Sequence, residues 1–132
     1  MKLTQILYAL TASLAIVTGL VHSVLGERLI FRHLRENAIV PSLAAPPLQV
    51  RHVRILWATW HLASVFNWAC AAILLCAVGS ATAPAPIVVN AIGVAYLGCA
   101  ALVFVGTRGR HPGWIALLLV AVLTWFAANA GS

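Results

Sequence analysis

The chain has 132 residues, of which 63% are hydrophobic and 8% charged, with a formal net charge of +6. A water-facing domain carries about 25% charged residues, so the composition excludes an ordinary soluble domain and makes a membrane protein the first expectation. Nucleic-acid binding is excluded as well, because no basic run interleaves with aromatics as such a surface requires.

The first stretch sets the pattern. Thr4, Tyr8, Thr11, Ala15, Thr18 and His22 follow one another in steps of four and three, so they form one seam of a helix. Around that seam the residues are mostly Leu, Ile, Val and Ala. A helix apolar nearly all round, with one small and polar seam, is expected to span a membrane and turn the seam toward partner helices. Met1-Lys2 before an apolar run also has the look of a signal peptide. The run is long and no A-x-A site closes it, so it is expected to be retained as a span. Residues Glu27 to Glu36 contain no helix breaker and are expected to extend the helix past the bilayer, lying at the headgroup level or projecting as a stem, with His33 on the face of His22.

Pro46 and Pro47 close the first connection, and proline suits the first turn of a following helix. The second helix is expected from about Leu48 to Val78, with its basic start, Arg51 to Arg54, outside the hydrocarbon. A second seam runs along it through Arg54, Trp57, His61, Ser64, Trp68, Ala71 and Leu75. A turn rich in small residues and proline follows, from Gly79 to Pro86. The third helix, about Ile87 to Val105, carries Asn90 and the small residues Ala91, Ala95 and Gly98. Small residues let helix backbones approach closely. His111-Pro-Gly-Trp114 reads as the device that starts the fourth helix, which runs to about Asn129.

The expected architecture is all-α: one membrane-embedded antiparallel four-helix bundle, up-down-up-down. Its spans lie at about 3–26, 55–78, 87–106 and 112–130, with a cytoplasmic connection over 27–54. Seven arginines (Arg28, Arg32, Arg35, Arg51, Arg54, Arg108, Arg110) flank the first and third connections, and Lys2 lies opposite. The positive-inside rule makes those connections cytoplasmic and both termini non-cytoplasmic. Trp57, Trp60 and Trp114 then fall at the cytoplasmic interface and Tyr8 and Trp125 toward the other, as aromatic belts do.

Four constellations could carry chemistry. His22 and His61 sit at similar depths on antiparallel neighbours. They could ligate haem b or a transition metal, or hydrogen-bond Thr18, Ser23 or Ser64 and hold the helices together. Glu27, one of two acids in the chain, is expected to bridge to Arg54 across the hairpin, with the other arginines as competitors. The third joins Trp60-His61 with Asn67 and Trp68, where Asn67 lies mid-span and needs a partner in hydrocarbon. His111 has only the helix-start role. The cysteines Cys70, Cys76 and Cys99 lie in apolar segments without a C-x-x-C pair and read as small packing residues.

The run His61-Leu-Ala-Ser-Val-Phe-Asn-Trp68 resembles a span of the copper-resistance D-type membrane domains, with a histidine and a later tryptophan. The likeness covers eight residues and lacks the Trp-x-Gly-Gly continuation, since Ala69-Cys70 stands there, and it implies no site. The box His22-Ser-Val-Leu-Gly-Glu27, with Trp60-His61 in the second helix, is similar to uncharacterised small four-span proteins of bacterial inner membranes. That implies a location and no activity. Small multidrug exporters share the length and span count, but their hallmark glutamate is missing from the middle of the first span, Ala12 to Val17.

Three functions are open at this point. The first is an accessory or scaffold subunit that packs through its helices against itself or a larger membrane complex. The second is an intramembrane haem or metal protein with His22 and His61 as ligands. The third is a small proton-coupled transporter using His22, Glu27 and Asn67.

Overall fold

The computed structural model describes residues 2–79 and 84–130. Four helices account for most of them: α1 Leu3–Leu29, α2 Val50–Gly79, α3 Pro86–Thr107 and α4 Gly113–Asn129. The protein is all-α, an antiparallel four-helix bundle. The turn expected between the second and third helices falls at its centre, 80–83, outside the described residues.

Local chemistry explains the helix ends. α3 starts with Pro86 in its first turn, where the missing N–H costs nothing. It ends in a left-handed turn, Arg108 at φ 52° and Gly109 at φ 72°, in which the Gly109 N–H reaches back to the Phe104 carbonyl at 2.7 Å. Glycine removes the Cβ penalty at the second of these positions. His111 Nδ1 accepts the Gly113 N–H at 3.0 Å and Trp114 Nε1 donates to the Gly109 carbonyl at 3.2 Å, which starts α4 as expected.

α1, α2 and α3 are each long and apolar enough to cross a membrane, and α4 is a shorter apolar helix of 17 residues. Only 17% of the apolar window of α2 is buried within the protein. Ile87, Leu102 and Val105 stand 77%, 75% and 73% exposed. So much outward apolar surface suits lipid and not water.

The chain divides into two compact units. Unit 1 comprises residues 1–18 and 68–132. It holds the bundle core: Tyr8, Ala12 and Ala15 of α1, Ala71 and Leu74 of α2, Ile92 and Tyr96 of α3, and Val120, Ala121 and Ala127 of α4. Gln5 Nε2 donates to the Val78 carbonyl at 3.1 Å, and Trp68 Nε1 to the Ile16 carbonyl at 3.3 Å, so α1 and α2 run antiparallel here. Trp125 packs over Gly93, where an added Cβ would meet the indole Cε2 at 2.5 Å, and this lets α3 and α4 approach closely. The buried hydroxyls of Thr11 and Thr124 bond carbonyls of their own helices, both at 2.7 Å.

Unit 2, residues 19–67, is a helical hairpin. The expected straight extension of α1 to Glu36 does not form. The helix stops at Leu29, and Phe31–Leu34 make one 3₁₀ turn. The cause is tertiary. Phe31 is buried, 5.9 Å edge-on from the Trp60 ring, and an exposed straight helix could not deliver it there. His33 therefore leaves the face of His22 and is exposed beside Arg32. The following connection is folded. Ser42 and Leu43 N–H groups bond the Leu34 carbonyl, Arg54 Nε bonds the Pro41 carbonyl at 3.0 Å, and Ala45 pairs with Leu48 around a cis Pro46–Pro47 bond.

Leu74 is fully buried in unit 1. Leu74→Ala is expected to cost about 2–4 kcal/mol, and Ile87→Ala, on the lipid-facing side, under about 0.5 kcal/mol. Thermal unfolding in detergent checks the contrast, and equal losses would refute this placement of the core.

Candidate functional site

Chemistry concentrates in unit 2, where α1 and α2 face each other with small residues between them. Gly26 is buried because Trp60 covers it, and a Cβ there would collide with the indole nitrogen. The indole N–H, pressed this close, donates to the His22 carbonyl at 3.0 Å. The Trp60 ring also stacks on the His22 imidazole, centroids 4.3 Å apart and planes 7° from parallel. One tryptophan thus grips α1 by its backbone and by its histidine.

One turn on, Ser64 is 1% exposed and donates to the Gly19 carbonyl at 3.0 Å. Ser23 Oγ donates to Ser64 Oγ at 2.9 Å and lies 3.0 Å from His61 Nδ1. The other ring nitrogen, His61 Nε2, lies 3.5 Å from Glu27 Oε2. Glu27 Oε2 also accepts the Trp57 indole N–H at 3.3 Å, and Arg35 pairs with Oε1. A continuous chain therefore runs Glu27, His61, Ser23, Ser64 and the Gly19 carbonyl. Counting hydrogens is informative here. Ser23 gives its proton to Ser64, so His61 Nδ1 must be the donor to Ser23. A doubly protonated ring then donates on both sides, whereas a neutral ring turns a lone pair toward the carboxylate.

The expected residues are distributed unevenly over this site. Glu27, His61 and Ser64 come together. The expected Glu27–Arg54 bridge does not form: Glu27 pairs with Arg35, and Arg54 is bound to Pro41. The break after Leu29 explains the exchange, because in a continuous helix Arg35 would stand about 12 Å further along the axis. Thr18 turns its hydroxyl to the Leu14 carbonyl of its own helix at 2.8 Å and joins no second helix through it. Asn67 is half-buried and Asn90 exposed.

The His22/His61 pair is held by different partners. His61 engages both ring nitrogens with protein groups, so joint ligation of a haem or metal would require it to release one of them. Among the described residues no cluster of three His, Cys, Asp or Glu side chains forms a metal centre. The sequence places Trp60 beside His61 and at the interface as an anchor, but its packing on Gly26 and its grip on His22 are not foreseen. Ser23 is among the expected partners of the histidine pair and meets His61, whereas Arg35 is foreseen only as one of several arginines competing for Glu27.

No family model, curated protein or solved structure matches the chain.

Gly26→Ala is expected to displace the Trp60 indole, break its bond to His22 and cost about 1–3 kcal/mol. Thermal unfolding and the shift of tryptophan emission check this. An unchanged midpoint would mean that the contact contributes nothing.

Proposed function

We propose that the chain is a small integral membrane protein that works as an accessory or scaffold subunit, packing against a second copy or a larger membrane complex. Its proposed home is a bacterial inner membrane, with the arginine-rich connections cytoplasmic, both termini on the other side and α4 as the fourth span. The seven arginines against one lysine support this orientation. A 17-residue α4 meets the lower end of the length required, about 17–25 residues.

The observation that carries the subunit reading is where the side-chain hydrogen bonds go. The indoles of Trp60 and Trp68, the hydroxyl of Ser64 and the amide of Gln5 all bond backbone carbonyls of the neighbouring helix. Polar groups spent in this way hold helices together and line no path across the bilayer. The face of α3 bearing Ala91, Ala95 and Gly98 is exposed, and nothing lies within 4 Å of a Cβ built on Gly98.

Purification in mild detergent is expected to yield a dimer or a stoichiometric complex. Gly98→Leu is expected to weaken it about tenfold while leaving the unfolding midpoint unchanged. A solitary monomer at membrane-like concentration would overturn the reading.

One observation favours a second reading, proton handling: His61 bridges Glu27 and Ser23. In that case Glu27→Gln is expected to abolish proton-coupled solute uptake by vesicles containing the protein. Vesicles that show no uptake with the unaltered chain would dismiss it.

A further inference from the structure

The hairpin unit contains a cavity of about 490 Å³, within the range of roughly 300–1,000 Å³ that holds small ligands. Its wall is almost entirely carbon, contributed by Phe31 and Leu34 of the 3₁₀ turn, Leu48 of the connection, and Val53, Leu56 and Trp60 of α2. A polar metabolite would find almost no hydrogen-bonding partners there. The surrounding chain is cationic. Unit 2 has five arginines, Arg28, Arg32, Arg35, Arg51 and Arg54, against Glu27 and Glu36. Arg35 is taken by Glu27 and Arg54 by the Pro41 carbonyl. Arg28, Arg32 and Arg51 are exposed, and among the described residues no carboxylate pairs with them. Arg32 directly follows the lining residue Phe31, and Arg51, in the first turn of α2, follows the lining residue Leu48 by three positions; their Nε groups donate to His33 and His52 at 3.2 and 3.3 Å.

From this combination we propose that the hairpin unit binds one anionic phospholipid, an acyl chain lying in the groove against Trp60 and the phosphate held by Arg32 and Arg51. Charge selects the occupant. Basic residues at the end of a membrane helix attract anionic headgroups, whereas a second copy of the chain would set arginine against arginine. An apolar peptide would use the groove but leave the cations without an anionic partner. The site is independent of the subunit reading, since a lipid can bind a monomer or a complex.

The test uses the full chain, stripped of lipid in a nonionic detergent. Dioleoyl phosphatidylglycerol and dioleoyl phosphatidylcholine are added separately and followed by native mass spectrometry. Versions brominated on the acyl chain are followed by quenching of tryptophan emission, with Trp60→Phe as the reference. The expected result is one phosphatidylglycerol bound about tenfold more tightly than phosphatidylcholine, with quenching that depends on Trp60. The double variant Arg32→Gln/Arg51→Gln is expected to lose about tenfold in affinity, and Ala63→Phe, which adds a ring at a residue that also lines the groove, to lose the quenching. Equal binding of the two lipids overturns the proposal. So does a folded Ala63→Phe variant that binds as the unaltered chain does. Glycerol phosphate, the headgroup chemistry without a chain, is added as a competitor to the unaltered protein. If it displaces the lipid at equal concentration the groove is unused and the proposal fails, an outcome that needs no variant to fold.

Discussion

Trp60, Ser64 and Trp68 stand four residues apart on α2, and each sends a side-chain donor to a backbone carbonyl of α1: His22, Gly19 and Ile16 in turn. In hydrocarbon the hydrophobic effect cannot pull helices together, because lipid is as apolar as leucine. A donor that reaches a neighbouring carbonyl supplies both attraction and register, and the carbonyl has a second lone pair to accept it. The arrangement demands close approach. Buried Gly19 and Gly26 on α1 provide it, since any larger side chain at Gly26 would occupy the place of the Trp60 indole.

The same demand explains how far the sequence could be read. The α1 seam is correct through Tyr8, Thr11 and Ala15, all buried, and then departs from the structure. Steps alternating between four and three repeat every 3.5 residues, whereas an α-helix turns every 3.6. The inward line passes through Tyr8, Ala12, Ala15, Gly19, Ser23 and Gly26, five steps over 18 residues, which is the helical period. The extra step of four moves the line off Thr18 and His22 and onto Ser23, the residue that meets His61. On α2 the seam held at Ser64 and Ala71 but put Arg54 and Leu75 inward where Val53 and Leu74 are buried.

Helix number and all-α class were legible because long apolar runs separated by proline, glycine and arginine admit little else. The end of α1 was not. Glu27 to Glu36 carries no local stop signal, and the helix ends there because Phe31 has somewhere to go, the edge of Trp60, 29 positions later in the chain. A choice made by a distant aromatic leaves no mark on the residues that obey it. The partner of Glu27 was hidden for the same reason, since Arg35 reaches the carboxylate only when the chain has turned.

One local event therefore has several consequences within the hairpin. Turning the chain after Leu29 buries Phe31, and the new 3₁₀ turn supplies Phe31 and Leu34 as one wall of the groove. It also returns Arg35 to Glu27, and that carboxylate faces His61 and Trp57. The groove and the polar chain are adjacent on α2: Trp60 and the stacked His22 line the groove, and His61, the residue after Trp60, belongs to the polar chain. The groove and the polar chain therefore stand on consecutive residues of one helix, Trp60 and His61, both placed by the close approach of α1 at Gly26.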